Sequence, residues 1–153
     1  MIDLERFQKC PDIVGDDVKD TELLRVMCSD AQQYISSFAW AQDVKNIYFG
    51  FGIGGVIAIF LAEFSEKISP LDDRLWVIVG DTPNAYIVLD NAPSPRAALT
   101  VYCDLMNEWA EAVLNSQPLD EVFPVQADAT LANAEDLKRR TDFLLNEIVP
   151  TMA

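Results

Sequence analysis

The residues best suited to chemistry are carboxylates at the ends of apolar segments: the pair Asp72-Asp73, then Asp81 and Asp90. Paired carboxylates hold a hard cation through oxygen, or divide into an acid and a base when their surroundings push their pKa values apart. Nothing around these four completes either device. No D-x-D-x-D-G calcium loop is present, and aspartate is at home in turns, where its side chain bonds nearby backbone. Histidine is absent from the chain. That removes Ser-His-Asp and Cys-His catalysis, histidine metal sites and a histidine pH switch. An enzyme built on this chain would have to work with Asp81, Tyr86 or Asp90, and no nucleophile–base pair is legible from spacing. No catalytic residue, metal ligand set or cofactor is assigned.

The second chemical signal is glycine. Gly50-Phe51-Gly52-Ile53-Gly54-Gly55 matches the G-x-G-x-x-G pattern of a dinucleotide-binding turn. That turn must open a helix, whereas Val56-Ile57-Ala58-Ile59-Phe60-Leu61 favours a strand. The acidic residue expected about 20 residues on is Asp81, which lies 26 beyond Gly55 and is followed by a hairpin. A membrane reading fails too. A spanning helix needs about 20 apolar residues; residues 47–62 supply sixteen, four of them glycine, between Lys45 and Glu63.

Strand periodicity fits the segment better. Ile47, Phe49, Phe51 and Ile53 alternate with Tyr48, Gly50, Gly52 and Gly54, which places the second set on one face. Glycines on a strand face mark a close approach by something else. Cover by a packed helix or by a neighbouring aromatic, Trp76 or Tyr86, is one expectation. The other is a small ligand lying against Tyr48, Gly50 and Gly52, with Trp76 or Tyr86 as its wall.

The elements that must position these groups are expected in the following order. Residues 1–20 form an irregular lead-in whose opening lacks the apolar core of a signal peptide. A helix spans 21–40, capped by Asp20 or Thr21, with Leu23, Leu24, Met27, Cys28, Ala31, Tyr34, Ile35 and Phe38 on its apolar stripe. Hairpins follow at 46–64 and 75–90, the first turning at Gly54-Gly55 and the two joined by a polar loop with Pro70. Helices follow at 95–115, started by Ser94-Pro95, and at 131–149, stopped by Pro150. Between them lies a loop in which Val122 and Phe123 tuck inward. The fold class is α+β: a four-stranded antiparallel sheet built from two hairpins, one helix before and two after, all packed on one face. The chain is the size of one domain.

Charge narrows the partners. The net charge of −14 is spread as −4, −4 and −6 over residues 1–45, 46–90 and 91–153. Such a field disfavours nucleic acid and anionic lipid. Asp104, Glu108 and Glu111 form an acidic stripe on the helix opposite Tyr102, Leu105 and Trp109, which suits a basic protein partner. Lys138-Arg139-Arg140 is the one basic cluster, too small for a nucleic-acid site. Cys10, Cys28 and Cys103 are odd in number and widely spaced. They read as three reduced thiols in a cytoplasmic protein.

The combination Gly52-Ile53-Gly54-Gly55, Leu75 to Asp81, Ala85 to Asp90, and Tyr102 with Trp109 resembles a small bacterial family of unknown function, over roughly residues 36–148. The resemblance implies a bacterial cytosolic setting and carries over no activity and no site residue. The function expected is a non-enzymatic acidic interaction module, binding a protein partner or itself as a homodimer. Its alternative is a small-ligand-binding domain using Tyr48, Gly50, Gly52, Trp76 and Tyr86.

Overall fold

The structure, a computed structural model, describes residues 3–65 and 73–153. The joining loop expected around Pro70, and Asp72, lie outside the described residues. Three α-helices and an antiparallel sheet make up the fold. Strand β1 (Gln8–Lys9) is followed by helix α1 (Val18–Ser36). Strands β2 (Val44–Ile53), β3 (Ile57–Phe64), β4 (Arg74–Gly80) and β5 (Ala85–Val88) come next. Helices α2 (Pro95–Leu114) and α3 (Leu131–Phe143) close the chain. The sheet order follows the chain, β1-β2-β3-β4-β5, and every neighbouring pair is antiparallel. Among the described residues no helix is long and apolar enough to cross a membrane.

Two expectations about the sheet are corrected. It has five strands, because Gln8 and Lys9 pair with Phe49 and Tyr48 from the lead-in. A two-residue strand leaves no periodicity to read. The helices also lie on both faces. Ala58, Phe60, Ala62, Leu75, Val77 and Val79 pack with Leu24, Met27, Ala31 and Ile35 of α1. The alternate set, Ile57, Ile59, Leu61, Trp76 and Ile78, packs with α2 and α3. A strand covered on both sides is apolar at every position, as residues 57–62 and 75–79 are.

Local chemistry sets the element ends. Helix α1 starts earlier than expected, because Asp17 is its cap and accepts from the Asp20 amide at 2.7 Å. The Asp20 carboxylate is thereby free to accept from the Gly54 amide at 2.7 Å and the Asp16 amide at 2.9 Å, tying the first hairpin to the helix. That hairpin turns at Gly54-Gly55 as expected, with Gly55 at φ +79°, a conformation glycine reaches without penalty. Helix α2 starts at Ser94-Pro95, whose hydroxyl accepts from the Ala97 amide at 3.1 Å. The last helix is regular only to Phe143 and runs on as a π-helical turn, Leu144–Ile148.

Helix α2 ends in a left-handed residue that is not glycine. Ser116 sits at φ +53°, and the Gln117 amide donates to the Ala112 carbonyl at 2.8 Å. A side chain in that conformation costs about 1–2 kcal/mol, part of which glycine loses again through its freer unfolded chain. Ser116→Gly is therefore expected to stabilise the protein by about 0.5–1 kcal/mol, read as a raised urea midpoint at unchanged m-value.

Candidate functional site

The five residues expected to share a glycine-lined face do not come together. A bulge in β2 breaks the alternation: Phe49 pairs with Phe60 and Phe51 with its neighbour Ile59, leaving Gly50 as the extra residue. Tyr48, Gly50 and Trp76 stay on the α2–α3 side. Gly52 and Tyr86 point to the α1 side. A Cβ on Gly50 would stand 3.2 Å from Pro95 and 3.4 Å from Trp76; one on Gly52 would stand 2.7 Å from Leu24. Helix and aromatic neighbours cover both positions. Trp76 is 0% exposed, and its indole N–H donates to the Ala92 carbonyl at 2.7 Å.

Tyr48 belongs to a polar cluster at one end of the sheet. Its hydroxyl lies 3.4 Å from Glu63, which also accepts from the Asn46 amide at 3.0 Å and stands 3.9 Å from Arg74. Burial and the Glu63 charge push the Tyr48 phenol up, so it stays a neutral donor. Tyr102 bridges Thr82 and the Pro83 carbonyl, 2.6 Å from each, and its burial likewise raises its pKa.

The strand-end carboxylates are dispersed. Asp81 pairs with Arg140 of α3, whose guanidinium also holds Asp136 at 2.9 Å and the Asp81 carbonyl at 3.0 Å. The Asp136 carboxyl is lowered by Arg139 and Arg140. Asp90 is exposed at the end of β5, and Asp73 lies 4.0 Å from Arg74. Among the described residues no three carboxylates or thiols converge on a common point. On α2, Asp104 and Glu108 are exposed as expected, while Glu111 pairs with Lys138 at 2.9 Å.

The two sheet edges differ, and the difference marks a candidate site that spacing did not reveal. Tyr86 on β5 meets Trp40 at 5.2 Å, Phe38 at 5.3 Å and Phe123 at 6.5 Å, all edge to face. Phe123 comes from the α2–α3 connection and also packs with the core on the opposite face, so that connection wraps the β5 margin. Together with its four-residue length, this makes β5 a short margin flanked by aromatic side chains, a poor template for a further strand.

The β2 edge is closed only in part. After Lys9 the chain turns away as a 3₁₀ turn, Cys10–Asp12, with Pro11 inside it, and Cys10 is joined to Cys28 of α1 by a disulfide. Among the described residues no strand pairs with the outer side of residues 44–47. A groove of about 450 Å3 runs between that edge and α1. Lys9, Arg25 and Lys45 line it, with the Cys10–Cys28 bridge and Ile47 as its apolar wall. Arg25 is fixed by donating to the Ile13 carbonyl at 3.2 Å. Ser29, Gln32 and Asn46 add polar groups but no charge.

The disulfide corrects the expectation of three reduced thiols. Counting and spacing cannot reveal a bridge between a loop cysteine and a helical one 18 residues on. Cys103 remains free and buried; burial, with Asp104 and Asp142 nearby, pushes its thiol up to about 12. A thiol-reactive dye at pH 8 is thus expected to find no thiol in the native protein, one after unfolding, and three after unfolding with reductant. Three thiols on unfolding without reductant would contradict the bridge. The raised Cys103 pKa also sets a direction with pH. Its stabilising contribution is complete below the unfolded thiol value and is lost as pH climbs from about 9 towards about 12.

No family model, no curated protein and no solved structure matches this chain.

Proposed function

We propose that this protein is a non-enzymatic interaction module that takes an extended segment of a protein partner at the β2 edge. The observation that carries the reading is the contrast between the edges. An unpaired strand edge is a row of backbone donors and acceptors that natural proteins normally cover. Here the aromatic set around Tyr86 covers one edge, and β1 covers only Tyr48 and Phe49 on the other. A segment laid along residues 44–47 would gain main-chain hydrogen bonds from the strand and side-chain contacts from α1, the mode of strand addition.

Self-association through this edge is disfavoured, because two copies would bring Lys45 side chains together in a groove already holding Lys9 and Arg25. Where the Cys10–Cys28 bridge persists, the surroundings are oxidising, and the cysteine usage no longer supports a cytoplasmic setting.

A photo-crosslinking residue tests the site directly. Placed at Lys45, it is expected to give an adduct with a partner protein in a lysate of the source cells. Placed at Glu108 on the acidic stripe, or at Val88 on β5, it is expected to give none. An adduct from Glu108 or Val88 but not from Lys45 would overturn the location. A second reading rests on the hollow of about 610 Å3 beside Gly50, lined by Phe7, Phe51, Pro93, Ser94 and Met152. A small molecule retained there in native mass spectrometry would favour it.

A further inference from the structure

We infer that the occupant of the β2–α1 groove is an acidic polypeptide segment, carrying carboxylates at alternate positions; this rests on the strand-addition reading above. The protein has 11 basic residues against 25 acidic ones, yet three of those bases converge on this one groove and no carboxylate lines it. The carboxylates next along the chain, Asp12, Asp30 and Asp43, are exposed and stand outside the lining. Arg6, Arg74, Lys138, Arg139 and Arg140 are held in ion pairs. None of Lys9, Arg25 and Lys45 has an acidic partner among the described residues. Three like charges around one hollow repel each other, and a carboxylate-bearing ligand relieves that repulsion.

The overall charge of −14 does not prevent this. Charges farther away than about 8 Å are screened at physiological salt, so a bound segment responds to the cations lining the groove and to the flanking Asp12, Asp30 and Asp43, not to the whole −14. Lys45 is also the extra residue of a bulge between Val44 and Asn46, an irregularity that re-aims a side chain. Side chains of an added strand alternate, so acidic residues at i and i+2 share one face about 7 Å apart. One such carboxylate would face Lys45 and the next Arg25 or Lys9, the other two bases that line the groove. A basic partner, suggested by the overall charge, would meet the wrong sign here.

The test is selection of a phage-displayed library of random nine-residue peptides on the wild-type protein. Lys45→Glu and Arg25→Glu variants serve as counter-targets. Both residues are exposed, and circular dichroism checks that each variant keeps its fold. The expected pool is enriched in Asp and Glu at alternate positions. Its best peptide should bind about 10-fold more weakly to either variant, and more weakly to the wild type as salt is raised. A pool that binds this groove without acidic enrichment, and binds the variants equally, would overturn the ligand class and leave the strand-addition reading standing. A pool that maps elsewhere, or no enriched pool with unchanged amide signals at residues 44–47, would overturn both.

Discussion

Replacing Trp76 by alanine is expected to lower the unfolding free energy by about 3–5 kcal/mol, a large part of the stability of a domain this size. The side chain is 0% exposed at the centre of the sheet, against Ile59, Leu61 and Ile87 on one side of the molecule and α2 above them. Its removal leaves a cavity that the flanking strands cannot collapse into. It also orphans the Ala92 carbonyl, whose partner at 2.7 Å is the indole N–H. Trp76→Phe shifts the balance between the two contributions, since it leaves a smaller cavity than alanine and still loses the hydrogen bond, worth about 1–3 kcal/mol when its partner stays buried. Urea denaturation of both variants measures the difference. A Trp76→Ala protein as stable as wild type would mean that this indole is a ligand wall and not core.

The second large effect is expected at the disulfide. Cys10→Ser with Cys28→Ser should destabilise the protein by about 3 kcal/mol, the value for freeing a loop closed by residues 18 apart. The same change should release the 3₁₀ turn that carries Cys10 and Pro11, and with it the wall between Lys9 and α1. Binding at the groove is therefore expected to weaken together with stability, whereas Trp76→Phe should lower stability and leave binding unchanged. Reductant added to the wild-type protein should reproduce the loss, and reductant should not affect the double variant.

Much of the fold was legible because its signals are local. Ser94-Pro95 and Gly54-Gly55 mark element ends by the conformations they permit, whereas Pro150, expected to stop the last helix, sits inside a 3₁₀ turn, Val149–Thr151, beyond the end of α3 at Phe143. The apolar stripe of Leu24, Met27, Ala31 and Ile35 names the buried side of α1. The two-sided burial of the sheet was also written in the chain, in the unbroken apolar runs of residues 57–62 and 75–79. A strand with one wet face alternates, and these do not. Strand β1 was not legible, since two polar residues carry no period and their pairing is decided by Phe49 and Tyr48, some forty residues away.

The site was less legible than the fold. The glycine face was derived from strict alternation, and one bulged residue, Gly50, moves Gly52 to the opposite side of the sheet. Asp81 looked like chemistry because it ends a strand, but Arg140 of α3 takes it as an ion-pair partner. Lys9, Arg25 and Lys45 carry no mutual signal in sequence. They meet because a disulfide holds the chain after β1 against α1, beside the start of β2.

The most direct measurement is amide hydrogen exchange of the wild-type protein with and without the best selected acidic peptide. Added protection is expected on residues 44–47, with a smaller effect along residues 25–32 of α1, and none on β5 or on Asp104 and Glu108. Protection confined to the α2 stripe, to the aromatic set around Trp40 and Tyr86, or to the hollow beside Gly50 would contradict it.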